Sequence, residues 1–186
     1  MTMPRPKRTG VWRNQTLDPR RRSTHNENHV ASELITFKDP FMQAPLILPM
    51  TINNHPIAMN LWRDTPGIGL SAADERDSMA AYLLRNPGLS QCAWIDDSLI
   101  GTVLAGHDGR RGYLHHLCVH EKFRHLGVGR QLVSSALAAL QAIGLDKAHA
   151  FLFTDNDEGR KFWERIGWTW RTDIGVVSCG IPGEKR

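Results

Sequence analysis

One segment near the middle of the chain limits the possible fold more than any other. Residues 112–120 have the alternating side chains of a strand, and residues 129–143 have apolar side chains at helical spacing. Between them lies the basic, glycine-containing sequence RHLGVGR, residues 124–130. A loop of this kind, set between a strand and a helix, offers main-chain N–H groups to a phosphate. The segment therefore predicts an α/β domain that binds a diphosphate.

The sequence on either side of this segment predicts a domain in which strands and helices alternate. Apolar or alternating runs predict strands at residues 46–52, 91–95, 99–106 and 147–154. Amphipathic patterns predict helices at residues 56–63, 71–85 and 156–166. A final strand, or a pair of strands, is predicted at residues 168–171 and 174–179.

The first 45 residues differ in composition from the rest. They are rich in Pro, Arg, Asn and Thr, show no structural period, and carry seven Lys or Arg against two acidic residues within positions 1–30. This predicts a basic, disordered extension at 1–45 and a folded domain at 46–186. The extension is interpreted as solvated chain, as sequence ahead of a natural start at Met50, or as a segment that binds nucleic acid or another anionic surface through Arg20, Arg21 and Arg22.

Composition excludes several classes of protein. Hydrophobic residues make up 41% of the chain and charged residues 23%, as in a globular domain. No apolar run approaches the ~20 residues of a membrane span, and no leader pattern is visible. The three cysteines, which include no CxxC pair, argue against a disulfide framework or a zinc site. We therefore expect a cytoplasmic protein without membrane or metal, either a monomer or a homodimer.

Three motifs occur in order along the chain. Residues 117–124 fit the pattern L-x-V-x-x-x-[FY]-R, residues 124–129 fit [QR]-x-x-G-x-[GA], and Asn156 is followed by Trp163 and E-R-I-G-W. On these motifs the chain resembles small bacterial-type members of the GCN5-related N-acetyltransferase (GNAT) superfamily, from about Leu46 to Ile181. The resemblance implies an α/β (α+β) fold with a mixed six- to seven-stranded sheet, about four flanking helices, and a splay between the fourth and fifth strands.

The resemblance also implies a site. Acetyl-CoA would be the co-substrate, and its acetyl group would pass to a primary amine of a small molecule or protein by direct attack. Main-chain atoms of strand residues would hold the pantetheine arm, and loop N–H groups would hold the pyrophosphate. The residues implied in cofactor binding are Leu117, Cys118, Val119, Arg124, His125, Leu126, Gly127, Val128, Gly129, Arg130, Asn156 and Trp163.

The chain departs from the family pattern where proton transfer is expected. Trp163 stands where many relatives have a tyrosine that acts as general acid, and an indole N–H does not serve as an acid at neutral pH. Phe151 stands where some relatives have a glutamate. His115 and His116 are therefore the candidate bases, because imidazole titrates near neutral pH, and Tyr113 is a weaker candidate acid. Either histidine can instead be a structural, partly buried side chain.

Strand alternation makes a specific prediction about these histidines. It places His115 on one face with Tyr113, Leu117 and Val119, and His116 on the other face with Cys118 and His120. Because this separates His115 from His116 and His120, a metal site formed by the three histidines is not expected. No acceptor-specific signal is visible. The alternatives to an enzyme are an acyl-CoA-binding sensor or regulatory subunit of the same fold, and a binder of RNA-associated targets through the extension.

Overall fold

The computed structural model describes residues 43–181, so nearly all of the predicted extension at 1–45 lies outside the described residues. The strands are β1 (Leu46–Pro49), β2 (Gln91–Ile95), β3 (Ser98–His107), β4 (Gly112–Val119) and β5 (Ala148–Ala150). The helices are α1 (His55–Arg63), α2 (Arg76–Arg85), α3 (Val128–Ala142) and α4 (Asp157–Arg165). Short 3₁₀ helices form at Ile52–Asn54, Ala72–Asp74 and Glu121–Phe123.

The five strands form one mixed sheet in the order β1-β2-β3-β4-β5. Neighbouring strands are antiparallel except β4 and β5, which are parallel. The predicted count of six to seven strands is wrong for the described residues, because positions 168–171 and 174–179 form no strand. Val176 and Val177 are 71% and 98% exposed. β-Branched residues form a strand only when cross-strand partners cover them, and here they have none among the described residues.

Helices cover both faces of the sheet. On one face, α1 and α2 pack through Trp62 and Met79 against a cluster that includes Cys92, Leu104 and Cys118. On the other face, α3 packs with residues of β2, β3 and β4 and with Trp163 of α4. Each face therefore has its own apolar core, and the mixed α/β class predicted from the sequence is confirmed.

The predicted helix at 71–85 is divided in two. Ser71 caps the short 3₁₀ helix Ala72–Asp74, its side chain accepting from the Ala73 N–H, and the Asp74 carboxylate accepts from the Ser71 N–H. Glu75 then takes an extended conformation, so α2 begins only at Arg76. Because of this break, Asp74 packs against the sheet, with only 4% of its surface exposed. Within residues 43–181, no helix is long and apolar enough to cross a membrane.

Candidate active site

A β-bulge interrupts β4 at its centre. Thr102 pairs with Cys118 and Leu104 with His115, so two residues of β4, His116 and Leu117, lie opposite Val103 alone. His116 adopts φ = +48°, the left-handed conformation that bulges of this kind use and that few non-glycine residues adopt. The extra residue shifts the alternation of every side chain that follows it.

The bulge overturns the predicted faces of β4. Leu114 lies in the core under α3, and after the bulge it is Leu117 and Val119 that pack against this core, not Cys118. His116 turns to the α1 face, where its ring meets Trp62 edge-on at a centroid distance of 4.8 Å. His115, on the side opposite Leu114, faces the same way. The prediction that alternation separates the two histidines is therefore wrong.

The bulge is held by hydrogen bonds from a neighbouring strand and helix. The Trp62 Nε1–H donates to Thr102 Oγ1 at 2.8 Å, and the Thr102 hydroxyl donates to the carbonyl of His116 at 3.2 Å. Both side chains are fully buried. The left-handed turn at His116 is thus fixed by packing and hydrogen bonding from α1 and β3.

β4 and β5 part shortly after they begin to pair. Their pairing covers Gly112 with Ala148, Tyr113 with His149, and Leu114 with Ala150, whereas β4 continues to Val119. The His120 N–H donates to Ile100 on β3, so the N–H of Val119 points to the opposite side, where β5 has diverged. The structure thus contains the splay between the fourth and fifth strands that the sequence resemblance implied.

The loop after β4 presents a row of free donors. Gly127 has φ = +83° and is the N-cap of α3, and His125 is also left-handed at φ = +64°. Among the described residues, the main-chain N–H groups of positions 125–130 make no hydrogen bond, and the first helical bond runs from Gln131 to Gly127. Six consecutive free N–H groups at a helix N-terminus suit a diphosphate, because the helix dipole adds to their positive potential.

Arg124 connects this loop to the splay. Its Nε–H donates to the carbonyl of Val119 at 3.1 Å. The guanidinium therefore lies beside the open side of β4 and brings a positive charge to the place where the loop and strand meet. Gly129 faces Phe162 of α4, which a Cβ would approach at 3.1 Å, so a side chain here would press against α4.

Asn156 is the N-cap of α4. Its Oδ1 accepts from the Gly159 N–H at 2.8 Å, and its Nδ2 lies where a Cβ on Gly67 would meet it at 2.9 Å. The loop between α1 and the 3₁₀ helix Ala72–Asp74 thus touches the start of α4 across the splay. Trp163 is 9% exposed and packs against Trp168 at 4.4 Å between ring centroids. Its predicted contact with the cofactor stays a prediction.

Aromatic rings cover the start of the splay. Phe151, directly after β5, stacks against Tyr113 at 6.2 Å and against His115 at 5.9 Å between ring centroids. The Tyr113 hydroxyl donates to Asp108 Oδ2 at 3.0 Å, and this bond raises the pKa of the phenol. Backbone N–H groups of Arg110 and Arg111 lower the pKa of Asp108 to about 2. Tyr113 is therefore bonded to the β3–β4 hairpin and is a poorer acid than a free phenol.

Burial lowers the pKa of His115 below its ordinary value of 6.5, and the neighbouring His116 adds to this effect. The unfolded chain then binds a proton at a higher pH than the folded chain does. The contribution of His115 to the free energy of unfolding is therefore complete above pH 6.5 and decreases as the pH falls below that value. We expect His115→Gln to remove part of the acid-side loss of stability, measured by urea unfolding between about pH 5 and 8. Parallel curves for the two proteins over this range would contradict the lowered pKa.

A buried carboxylate lies beside the bulge. Asp74 Oδ1 is 2.8 Å from His116 Nε2, with the two side chains 6% and 16% exposed. In the sequence, Asp74 lies within the helix predicted at residues 71–85, and alternation directed His116 away from the face of His115. Neither pattern therefore indicated this pair. Among the described residues, no group of three or more His, Cys, Asp or Glu side chains is arranged to hold a metal ion.

Comparison with known proteins agrees with this geometry. Residues 56–168 match the model of the acetyltransferase (GNAT) family, and the chain belongs to that family. An acetyltransferase of Pectobacterium atrosepticum is 33% identical over 103 residues, which cover 55% of this chain and 69% of the relative. The resemblance stated from the three sequence motifs is therefore confirmed.

Two solved structures show the same fold. The PaiA N-acetyltransferase of Thermoplasma acidophilum, in complex with coenzyme A, aligns with a TM-score of 0.64 at 16% identity, over 72% of this chain and 94% of that one. The ribosomal-protein-alanine N-acetyltransferase of Brucella melitensis aligns with a TM-score of 0.54 at 19% identity, over 73% of this chain and all of that one.

Proposed function

We propose that this protein is an N-acetyltransferase that moves the acetyl group of acetyl-CoA to a primary amine by direct attack. The observation that carries the proposal is the row of six free N–H groups at residues 125–130, set beside the splay of β4 and β5. One of the family structures of the same fold contains coenzyme A. The residues present fit such a co-substrate, since the row suits its pyrophosphate and the open edge of β4 suits its amide-containing arm.

The chain supplies binding and orientation to this reaction. Acetyl-CoA brings an activated thioester, and the N–H groups of residues 125–130 hold its pyrophosphate. The open edge of β4 near Val119 receives the arm and fixes the direction of the thioester. Holding an amine against that carbonyl in a reactive geometry contributes up to ~7–11 kcal/mol in well-aligned systems. We expect a main-chain N–H on the unpaired part of β4 to polarise the thioester oxygen as negative charge develops on it.

We assign proton transfer to the side of β4 that faces α1. His115 and His116 both face this side. Trp163 replaces the tyrosine of many relatives, and it lies in the core, so we infer that the departing thiolate takes its proton from water or from the amine itself. The acceptor is a primary amine of a small molecule or of a protein.

The proposal is tested by acetyl-CoA titration in a calorimeter and by amine-dependent release of CoASH. A panel of an alanine-terminated peptide, a lysine-containing peptide, spermidine and kanamycin covers protein and small-molecule acceptors. We expect saturable acetyl-CoA binding and thiol release with at least one acceptor, above the rate without amine. Tight acetyl-CoA binding without release for any amine would instead favour the sensor or regulatory subunit. Absence of binding would overturn the proposal.

A further inference from the structure

The most informative group outside the cofactor loop is the carboxylate of Asp74. Its orientation does not depend on His116, because Oδ2 accepts from the Ser71 N–H at 2.8 Å and its main-chain carbonyl lies 2.8 Å from His55 Nε2. The other carboxylate oxygen is left to point across the interface at the sheet. A carboxylate buried to this extent requires a partner of opposite charge or a hydrogen-bond donor.

That partner is His116. Its Nε2 lies 2.8 Å from Asp74 Oδ1 and is sealed from solvent, although the contact is not aligned as a hydrogen bond. Contacts of this kind commonly tighten when substrate binds. The edge of the Trp62 ring confines the imidazole from a second direction. No described residue bonds to Nδ1, so one ring nitrogen lies against the Asp74 carboxylate and the other has no partner among the described residues.

The main chain places this ring beside the splay of β4 and β5. His116 is the left-handed residue of the bulge and lies beyond Leu114, the last residue of β4 that pairs with β5. It therefore belongs to the unpaired part of the strand, between the arm-binding edge and α1. His115 is placed differently, because it stacks on Phe151 and has no carboxylate in contact among the described residues.

We propose that Asp74 and His116 form the proton-accepting pair of the enzyme, with His116 the catalytic base and Asp74 its positioning residue. The inference rests on the proposed acetyl transfer and adds the assignment of the base. A carboxylate on one ring nitrogen fixes the tautomer and leaves the other nitrogen as the acceptor of a proton. The structure thus connects the 3₁₀ helix Ala72–Asp74 to the chemistry on β4.

An N–H bond of the acceptor ammonium breaks and an Nδ1–H bond forms on His116, leaving a neutral amine. The amine nitrogen bonds to the acetyl carbon while the carbon–sulfur bond breaks. The thiolate takes the second proton released by the nitrogen and leaves as CoASH, and His116 returns its proton to solvent. No oxidant, reductant or metal takes part.

Two near-isosteric variants test the pair. Asp74→Asn keeps an oxygen for the Ser71 N–H but removes the charge, and His116→Asn keeps a residue that tolerates a left-handed backbone but removes the base. With n-propylamine as a generic primary amine, we expect kcat to fall about 10-fold or more in Asp74→Asn and at least ~100-fold in His116→Asn. The KM for acetyl-CoA should stay within about twofold. His149→Gln, on β5, is the matched control and should retain wild-type kcat.

A purely structural pair would behave differently. The variants would then have a lower melting temperature, but kcat would not fall selectively while the KM for acetyl-CoA stays constant. This result would overturn the assignment. A kcat lost in His115→Gln but retained in His116→Asn would also overturn it. If wild-type protein releases no CoASH with propylamine or with the acceptor panel, the proposed function itself fails.

A spectroscopic measurement tests the pair without turnover. Long-range ¹⁵N–¹H spectra of the wild-type protein at neutral pH are expected to show His116 with Nε2 protonated and Nδ1 free. The same spectra of Asp74→Asn should show a mixture of tautomers. A wild-type ring protonated on Nδ1 would contradict the proposal, whether or not the variants fold.

Discussion

Gly127→Asp is expected to weaken acetyl-CoA binding at least ~100-fold relative to Gly127→Asn. Position 127 has φ = +83°, which Asn and Asp tolerate better than other residues with a side chain, and no described atom lies within 4 Å of a Cβ placed there. The two variants therefore have nearly the same shape and backbone strain. They differ in one negative charge beside the six free N–H groups. Two like charges about 5 Å apart repel each other by about 3 kcal/mol at an effective dielectric near 20, which exceeds two orders of magnitude in Kd.

Gly127→Asp weakens binding relative to Gly127→Asn, but it should not lower the stability of the fold relative to that variant. Gly127 is the N-cap of α3, and Asp is among the residues most favoured at an N-cap, where its charge also suits the helix dipole. Gly127→Asp is therefore expected to unfold at a temperature no lower than Gly127→Asn. Calorimetric Kd values at about 0.05 M and 1 M salt should converge as screening increases. Equal affinities at low salt would place the pyrophosphate elsewhere.

The fold around the glycine loop was largely predictable, because the sequence patterns that define it are local. A strand, a glycine loop and a capped helix lie within about thirty consecutive residues, and each has its own pattern. α3 was predicted at residues 129–143 and is found at Val128–Ala142, and β2 lies at Gln91–Ile95 as predicted. The left-handed Gly127 follows from the need to expose N–H groups at a helix start. Order and spacing were therefore sufficient to predict the strand, the loop and the helix at which we propose that acetyl-CoA binds.

The proposed Asp74–His116 pair was not predictable, since it depends on contacts between distant parts of the chain. The bulge at His116 exists because Thr102 and Trp62, 14 and 54 residues before it, fit the left-handed turn, and no alternation pattern records this. Without the bulge His116 would face α3 and never meet Asp74. The prediction of the final strands was wrong for a related reason. β-Branched residues such as Val176 and Val177 form a strand only where a sheet edge pairs with them.

Thr102→Val is expected to lower the free energy of unfolding by about 3 kcal/mol. The substitution keeps the shape of a fully buried side chain and removes the Thr102 partner of two groups, the buried indole N–H of Trp62 and the partly buried carbonyl of His116. Each such group costs about 1–3 kcal/mol. In a chain of this size the loss corresponds to roughly 6–12 °C in melting temperature. Thr102→Ser keeps the hydroxyl and is the matched control, with the smaller cost of one missing methyl group.

A double-mutant cycle shows whether the hydroxyl acts through these bonds. Trp62→Phe removes the indole N–H, so adding Thr102→Val no longer leaves an orphaned donor, and the double variant should be about 1–2 kcal/mol more stable than the two single losses predict. Urea unfolding measures all four proteins. Additive losses would mean that the Thr102 hydroxyl does not act through the Trp62 indole. Thr102 also donates a hydrogen bond to the His116 carbonyl, so Thr102→Val should lower kcat more than Thr102→Ser does. Such a difference would connect the stability of the bulge directly to proton transfer at β4.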